Sequence, residues 1–171
     1  MTQRFLKFLI FIAMTYIVLA GPENLGLAKV LSNGDQAPSF ALESIQGQRV
    51  DLAQHIGSEV IVLGLFHICE PCMNQAMELQ VLLEAVKGEK VLVVGVNASG
   101  DSRASVMEYL NSFPRKVSFP YLLDPNRIVE GLFSIKSTPI VYIIDRQGMI
   151  RFKGSSVPGN VLLGEVAKLL S

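Results

Sequence analysis

The chain has 171 residues, half of them hydrophobic, with 15 basic and 15 acidic side chains. That length suffices for one domain with a sizeable core and a short extension. A net charge of zero excludes a dedicated nucleic-acid surface, which needs a basic stripe to meet phosphates.

At the N-terminus, Arg4 and Lys7 precede an apolar run from Phe8 to Ala20. A positive stretch before a run of this length is the pattern of a signal peptide; a membrane span takes roughly 20 apolar residues. Val18-Leu19-Ala20 and Gly26-Leu27-Ala28 both offer modest side chains to a signal peptidase. An uncleaved membrane anchor is the second reading, since Phe5 and Leu6 lengthen the run and Lys7 can reach the headgroups. Either way the segment predicts export, to the periplasm or the outer face of the cytoplasmic membrane, with membrane contact through this segment alone. The expected organisation is residues 1–20 as signal peptide or anchor, 21–34 as linker and 35–171 as one α/β domain. Without residues 1–28 the chain loses Arg4, Lys7 and Glu23 and stays near neutral, so no charge-driven partner is implied.

Ser39–Leu42 and Gln48–Leu52 flank Gly47 and read as a small β-hairpin. Glu59–Phe66 is a continuous apolar, β-branched run of the length of a buried parallel strand. Cys69-Glu70-Pro71-Cys72 follows it. Met73–Lys87 has Ala76, Leu79, Leu83 and Val86 at helical spacing, and Gly88 ends that helix. Lys90–Asn97 predicts a second buried strand, and Asp101–Asn111 a helix capped by Asp101 or Ser102. Phe113–Leu123 carries two prolines and one short strand; Asp124-Pro125-Asn126 is a turn before a short helix at Arg127–Phe133. Ile140–Asp145 predicts a third strand, which turns at Arg146-Gln147-Gly148 and returns antiparallel over Met149–Lys153. Val157–Leu170 closes the chain as a helix. Strands alternating with helices predict an α/β sandwich around a mixed sheet, with crossover helices joining the first, parallel strands.

The two cysteines, Cys69 and Cys72, are the only ones in the chain. A disulfide framework in an exported protein spreads cysteines along the sequence, and a bridge across three residues removes little unfolded-state entropy. The pair therefore points to redox chemistry. A thiolate attacks a disulfide, and a helix N-terminus favours the thiolate. The strand ending at Phe66 and the helix starting near Glu70 set Cys69 at the N-cap and Cys72 one turn further in. Pro71 suits the first turn, where its missing N–H costs nothing. The expectation is Cys69 as exposed nucleophile and Cys72 as the more buried resolving thiol.

The order strand, Cys-x-x-Cys, helix and then Thr138-Pro139 before an apolar strand resembles the thioredoxin superfamily. Gly34-Asp35-Gln36-Ala37-Pro38-Ser39-Phe40 with Leu42, Cys-Glu-Pro-Cys itself, Ser137-Thr138-Pro139-Ile140 and Ile144-Asp145 with Gly148 are similar to the TlpA/ResA/CcmG branch. That branch shares its entry segment with peroxiredoxins. The resemblance covers residues 34–171. It implies a thioredoxin-like three-layer α/β/α sandwich with a central mixed sheet, an N-terminal β-hairpin and a central insertion. It implies a cis peptide bond at Pro139, facing the cysteines, with Thr138 and Pro139 binding the substrate backbone. No cofactor beyond the Cys69–Cys72 disulfide and no metal is implied. The implied partners are protein thiols and disulfides such as those of apocytochrome c, and a membrane thiol electron donor of the DsbD/CcdA type.

Three positions depart from that branch. Ile68 stands where the family has Trp before the first cysteine. Gln75 and Met77 stand where ResA-like proteins have Glu and Pro. Gln75 can hydrogen-bond but cannot titrate, which removes a proton relay from that position. Glu70 lies within the motif but is expected to be exposed and a weak perturber. His67, as an imidazolium beside the thiolate, would favour it. We favour the other reading of His67, a strand-end residue facing away from the cysteines, because i and i+2 share a face only while the chain stays extended.

The leading function is a disulfide reductase for exported proteins. A Cu(I) chaperone using Cys69, Cys72, His67, Met73 and Met77 is the alternative, though copper carriers of this fold have wider cysteine spacing and a distant His. Peroxidase activity, with the antioxidant role it would carry, ranks third, since Phe66 stands where a peroxidatic Cys needs a Thr three residues earlier.

Overall fold

The computed structural model describes residues 29–171. The predicted signal peptide or anchor at 1–20 and most of the predicted linker lie outside them. No helix among the described residues is long and apolar enough to cross a membrane.

The strands are β1 (Ala41–Ser44), β2 (Arg49–Asp51), β3 (Val60–Phe66), β4 (Val91–Asn97), β5 (Tyr121–Leu123), β6 (Ile140–Ile144) and β7 (Ile150–Gly154). The helices are α1 (Glu70–Ala85), α2 (Arg103–Asn111), α3 (Ile128–Leu132) and α4 (Gly159–Leu170). One seven-stranded sheet runs in the order β2-β1-β5-β4-β3-β6-β7. β3, β4 and β5 are parallel neighbours, and β6 lies antiparallel to β3. This is the thioredoxin-like α/β fold expected from the sequence, with α2, β5 and α3 filling the centre of the chain. The N-terminal hairpin extends the sheet: β1 pairs antiparallel with β5, so the sheet ends in an antiparallel hairpin at each edge.

β3 is buried along its whole length, which explains its unbroken apolar sequence. Its alternate residues serve two cores. Val60, Val62 and Phe66 pack with Leu79 and Leu82 of α1 and Leu162 and Val166 of α4. Ile61, Leu63 and Leu65 pack on the other face with Phe40, Leu52, Val129 and Phe133. Gly64 and Gly95 are paired across β3 and β4. They leave room for the Phe66 ring, which stacks on Tyr121 at 5.9 Å between centroids. A Cβ at Gly64 would stand 2.4 Å from Phe66 Cζ. The aromatic floor under the end of β3, where the chain leaves the sheet for the cysteines, depends on that missing side chain.

Candidate functional site

β3 ends at Phe66, and the chain bends through Ile68 and Cys69 into α1. Cys69 is the N-cap of α1: its backbone is extended and its sulfur accepts a hydrogen bond from the Cys72 amide at 3.1 Å. A helix start leaves its first N–H groups without helical partners, and a side chain with a free electron pair fills that need. Pro71 lies in the first turn, where it sacrifices no helical bond. Glu70 and Pro71 are exposed, Cys69 is half-buried and Cys72 is buried at 1% exposure. Both cysteines are free thiols. Burial pushes the Cys72 thiol up to about 12; the Cys69 sulfur adds to the rise, while contacts from the His67 backbone and the Thr138 hydroxyl oppose it.

The Thr138–Pro139 bond is cis, and Thr138 lies against Cys72. The Cys72 thiol donates to Thr138 Oγ1 at 3.6 Å. β6 brings Thr138 here because it pairs antiparallel with β3, Leu65 standing opposite Ile140. Two residues further in the same register, His67 stands opposite Thr138. His67 Nδ1 and the Thr138 hydroxyl are hydrogen-bonded. The expectation that His67 faces away from the cysteines is therefore corrected: the donor atoms of His67, Cys69 and Cys72 lie within 4.8 Å of one another. The chain does bend after Phe66, but His67 keeps its place opposite Thr138, whose hydroxyl also meets Cys72, so the pairing of β3 with β6 holds the ring on the cysteine side. Among the described residues this is the one group of such donors close together. The Thr138 hydroxyl joins His67 and Cys72 into a hydrogen-bonded chain, which suits proton and thiol chemistry. Met73 and Met77 instead pack against the core.

Gln75 points away from that chain. It is buried, its amide donates to Val157 O at 2.9 Å, and its carbonyl accepts from Val157 N at 2.6 Å. These two bonds tie the second turn of α1 to the segment entering α4. Glu78 adds a third tie by accepting from Gly159 N at 2.6 Å. Ile68 is exposed beside Cys69 and gives the surface there an aliphatic side chain.

Tyr109, not singled out in the sequence, reaches over from α2. Its hydroxyl donates to the Cys69 carbonyl at 2.6 Å, and burial pushes the phenol well above its usual range. The spacing of Val106 and Tyr109 puts both on one face of α2, but nothing in the sequence shows that this face meets the cysteine loop. A cavity of about 260 Å³ opens beside His67 and Thr138, rimmed by Ser99, Arg127, Glu130 and Lys136.

Residues 33–153 match the AhpC/TSA family. The chain is similar to the thiol-disulfide oxidoreductase ResA of Bacillus subtilis (strain 168), at 29% identity over 133 residues covering 78% of this chain and 69% of that protein. It is similar to the thioredoxin-like protein YneN of the same strain, at 28% over 123 residues covering 71% and 70%. A solved structure from Chlorobium tepidum, assigned as a thiol:disulfide interchange protein DsbE, matches with a TM-score of 0.72 at 26% identity, covering 82% of this chain and 99% of that one.

Proposed function

Because the chain belongs to the AhpC/TSA family, in the TlpA/ResA/CcmG branch of thiol–disulfide oxidoreductases, we propose that it reduces disulfides of proteins outside the cytoplasm. The observation that carries this reading is the arrangement of the dithiol. Cys69 caps α1 half-buried, Cys72 lies buried one turn in with its thiol bonded to Thr138, and the Thr138–Pro139 bond is cis. The half-buried Cys69 sulfur attacks the substrate disulfide and forms a mixed disulfide, releasing one substrate thiolate. Cys72 then attacks Cys69, the second substrate thiolate leaves, and the protein holds the Cys69–Cys72 disulfide. Thr138 and Pro139 receive the substrate backbone beside Cys69.

The N-terminal apolar run supports export to the periplasm or the outer face of the cytoplasmic membrane. A reductant there needs electrons from a membrane thiol donor of the DsbD/CcdA type. Apocytochrome c, or a protein with a similar cysteine pair, is the proposed substrate.

Equilibration with glutathione and dithiothreitol tests the direction of electron flow. The expected potential lies below about −200 mV, and a value above about −150 mV would overturn the reductase assignment. The Cys72→Ser variant, supplied reduced, is expected to hold a mixed disulfide with a disulfide-bearing partner protein of the exported fraction, and Cys69→Ser to hold none.

A further inference from the structure

The dithiol cycle requires Cys72 to lose a proton, yet Cys72 is buried and its thiol is held protonated by that burial. Gln75 takes no proton, and both ends of its amide are engaged by Val157. The phenols of Tyr109 and Tyr121 approach from the other side, and burial keeps both protonated. A connected path runs the other way. The Cys72 thiol donates to Thr138 Oγ1, and the same hydroxyl is bonded to His67 Nδ1. A hydroxyl that accepts one proton can pass its own along. His67 is half-buried and borders the open 260 Å³ cavity, so its ring can exchange with water.

We propose that His67 is the proton acceptor for Cys72, acting through the Thr138 hydroxyl. The proposal rests on the dithiol reading above. In the resolving step the Cys72 S–H proton moves to Thr138 Oγ1, and the Thr138 O–H proton moves to Nδ1 of neutral His67. The Cys72 thiolate then forms the Sγ–Sγ bond to Cys69 as the bond between Cys69 and the substrate sulfur breaks. The electron pair leaves on the substrate thiolate, which takes its proton from solvent, and the imidazolium returns its own to the cavity water. The two electrons given to the substrate are those lost by the dithiol. Around His67 stand Cys69 and Cys72 from the motif, Arg127 at the cap of α3, Glu130 from α3 and Lys136 from the loop before β6. Arg127 and Glu130 pair with each other, and Lys136 is exposed. Among the described residues the His67 ring is hydrogen-bonded to Thr138 alone.

Stopped-flow reaction of the reduced full chain with the aromatic disulfide dithiobis(nitrobenzoate) separates the steps. Attack by Cys69 releases one chromophore, and resolution by Cys72 releases a second. Because the relay needs an unprotonated ring nitrogen to receive the proton, acid should slow the second phase more than the first. In His67→Ala the second phase is expected to slow by about 100-fold at pH 7 and to climb with hydroxide without levelling, while the first phase changes little. Thr138→Val should slow the second phase likewise, and His67→Gln, which can hydrogen-bond but not carry the proton, should stay slow. Added imidazole should restore part of the rate in His67→Ala. A second phase unchanged in His67→Ala, both phases slowed equally, or full rate in His67→Gln would overturn the relay. A wild-type protein that releases a single chromophore would instead overturn the dithiol reading on which the relay rests.

Discussion

The Gln75 clamp makes a prediction with a definite pH signature. Gln75 is buried, and its amide makes complementary bonds to both backbone groups of Val157. In Gln75→Glu, a protonated carboxyl can copy the pattern, accepting from Val157 N–H and donating to Val157 C=O. An ionised one cannot, because it would set a carboxylate oxygen against a carbonyl oxygen away from water. The folded state of the variant therefore holds this proton to higher pH than the unfolded chain, where a Glu titrates near about 4.3. The native state binds more protons than the unfolded one between those two values, so stability falls as pH rises through that window. At about 1.4 kcal/mol per pH unit, a carboxyl that stays protonated to pH 7 costs about 4 kcal/mol there and almost nothing below pH 4. In Gln75→Leu both Val157 groups lose their partners at every pH, at about 1–3 kcal/mol each. Urea unfolding followed by circular dichroism at pH 4 and pH 7 reads the difference. Gln75→Glu should lie close to wild type at pH 4 and about 4 kcal/mol below it at pH 7, while the deficit of Gln75→Leu should be alike at both. If the gap between Gln75→Glu and wild type is the same at the two pH values, the clamp reasoning is refuted.

Three further outcomes are expected. Iodoacetamide mapped by mass spectrometry should mark Cys69 first at neutral pH. Cys72, buried and pushed up to about 12, should resist until the solution approaches that value or the chain unfolds. Gly64→Ala should destabilise by about 1–3 kcal/mol in chemical unfolding, because the new methyl meets Phe66 and Leu79 well inside contact distance. Tyr109→Phe should cost about 1 kcal/mol in the same assay, since it removes the bond to the Cys69 carbonyl but leaves that oxygen its bond from Met73 N.

The elements were legible because their causes are local. The apolar run before Phe66, the Pro in the first turn after Cys69 and the Ser102 cap of α2 each fix conformation over a few residues. The central parallel order followed from strand–helix alternation. The docking of the N-terminal hairpin on β5 did not, because β1 pairs with a strand nearly 80 residues away, and nothing in either segment names its partner.

The sequence by itself determined the reactive pair and its setting: two cysteines three apart, at the start of a helix that follows a buried strand. Spacing and capping are enough for that, since both cysteines belong to one turn of backbone. Only the tertiary structure decided what surrounds them. The antiparallel pairing of β3 and β6 sets His67 opposite Thr138, and the fold lays Tyr109 over the Cys69 carbonyl and turns Gln75 toward Val157. The register of distant strands and the docking of one helix on another arise from burial of whole faces, so a residue's own neighbours in the chain do not reveal them. His67 shows the difference most directly: the bend after Phe66 gave no local reason to place it beside Cys69, and the pairing of β3 with β6 set it there.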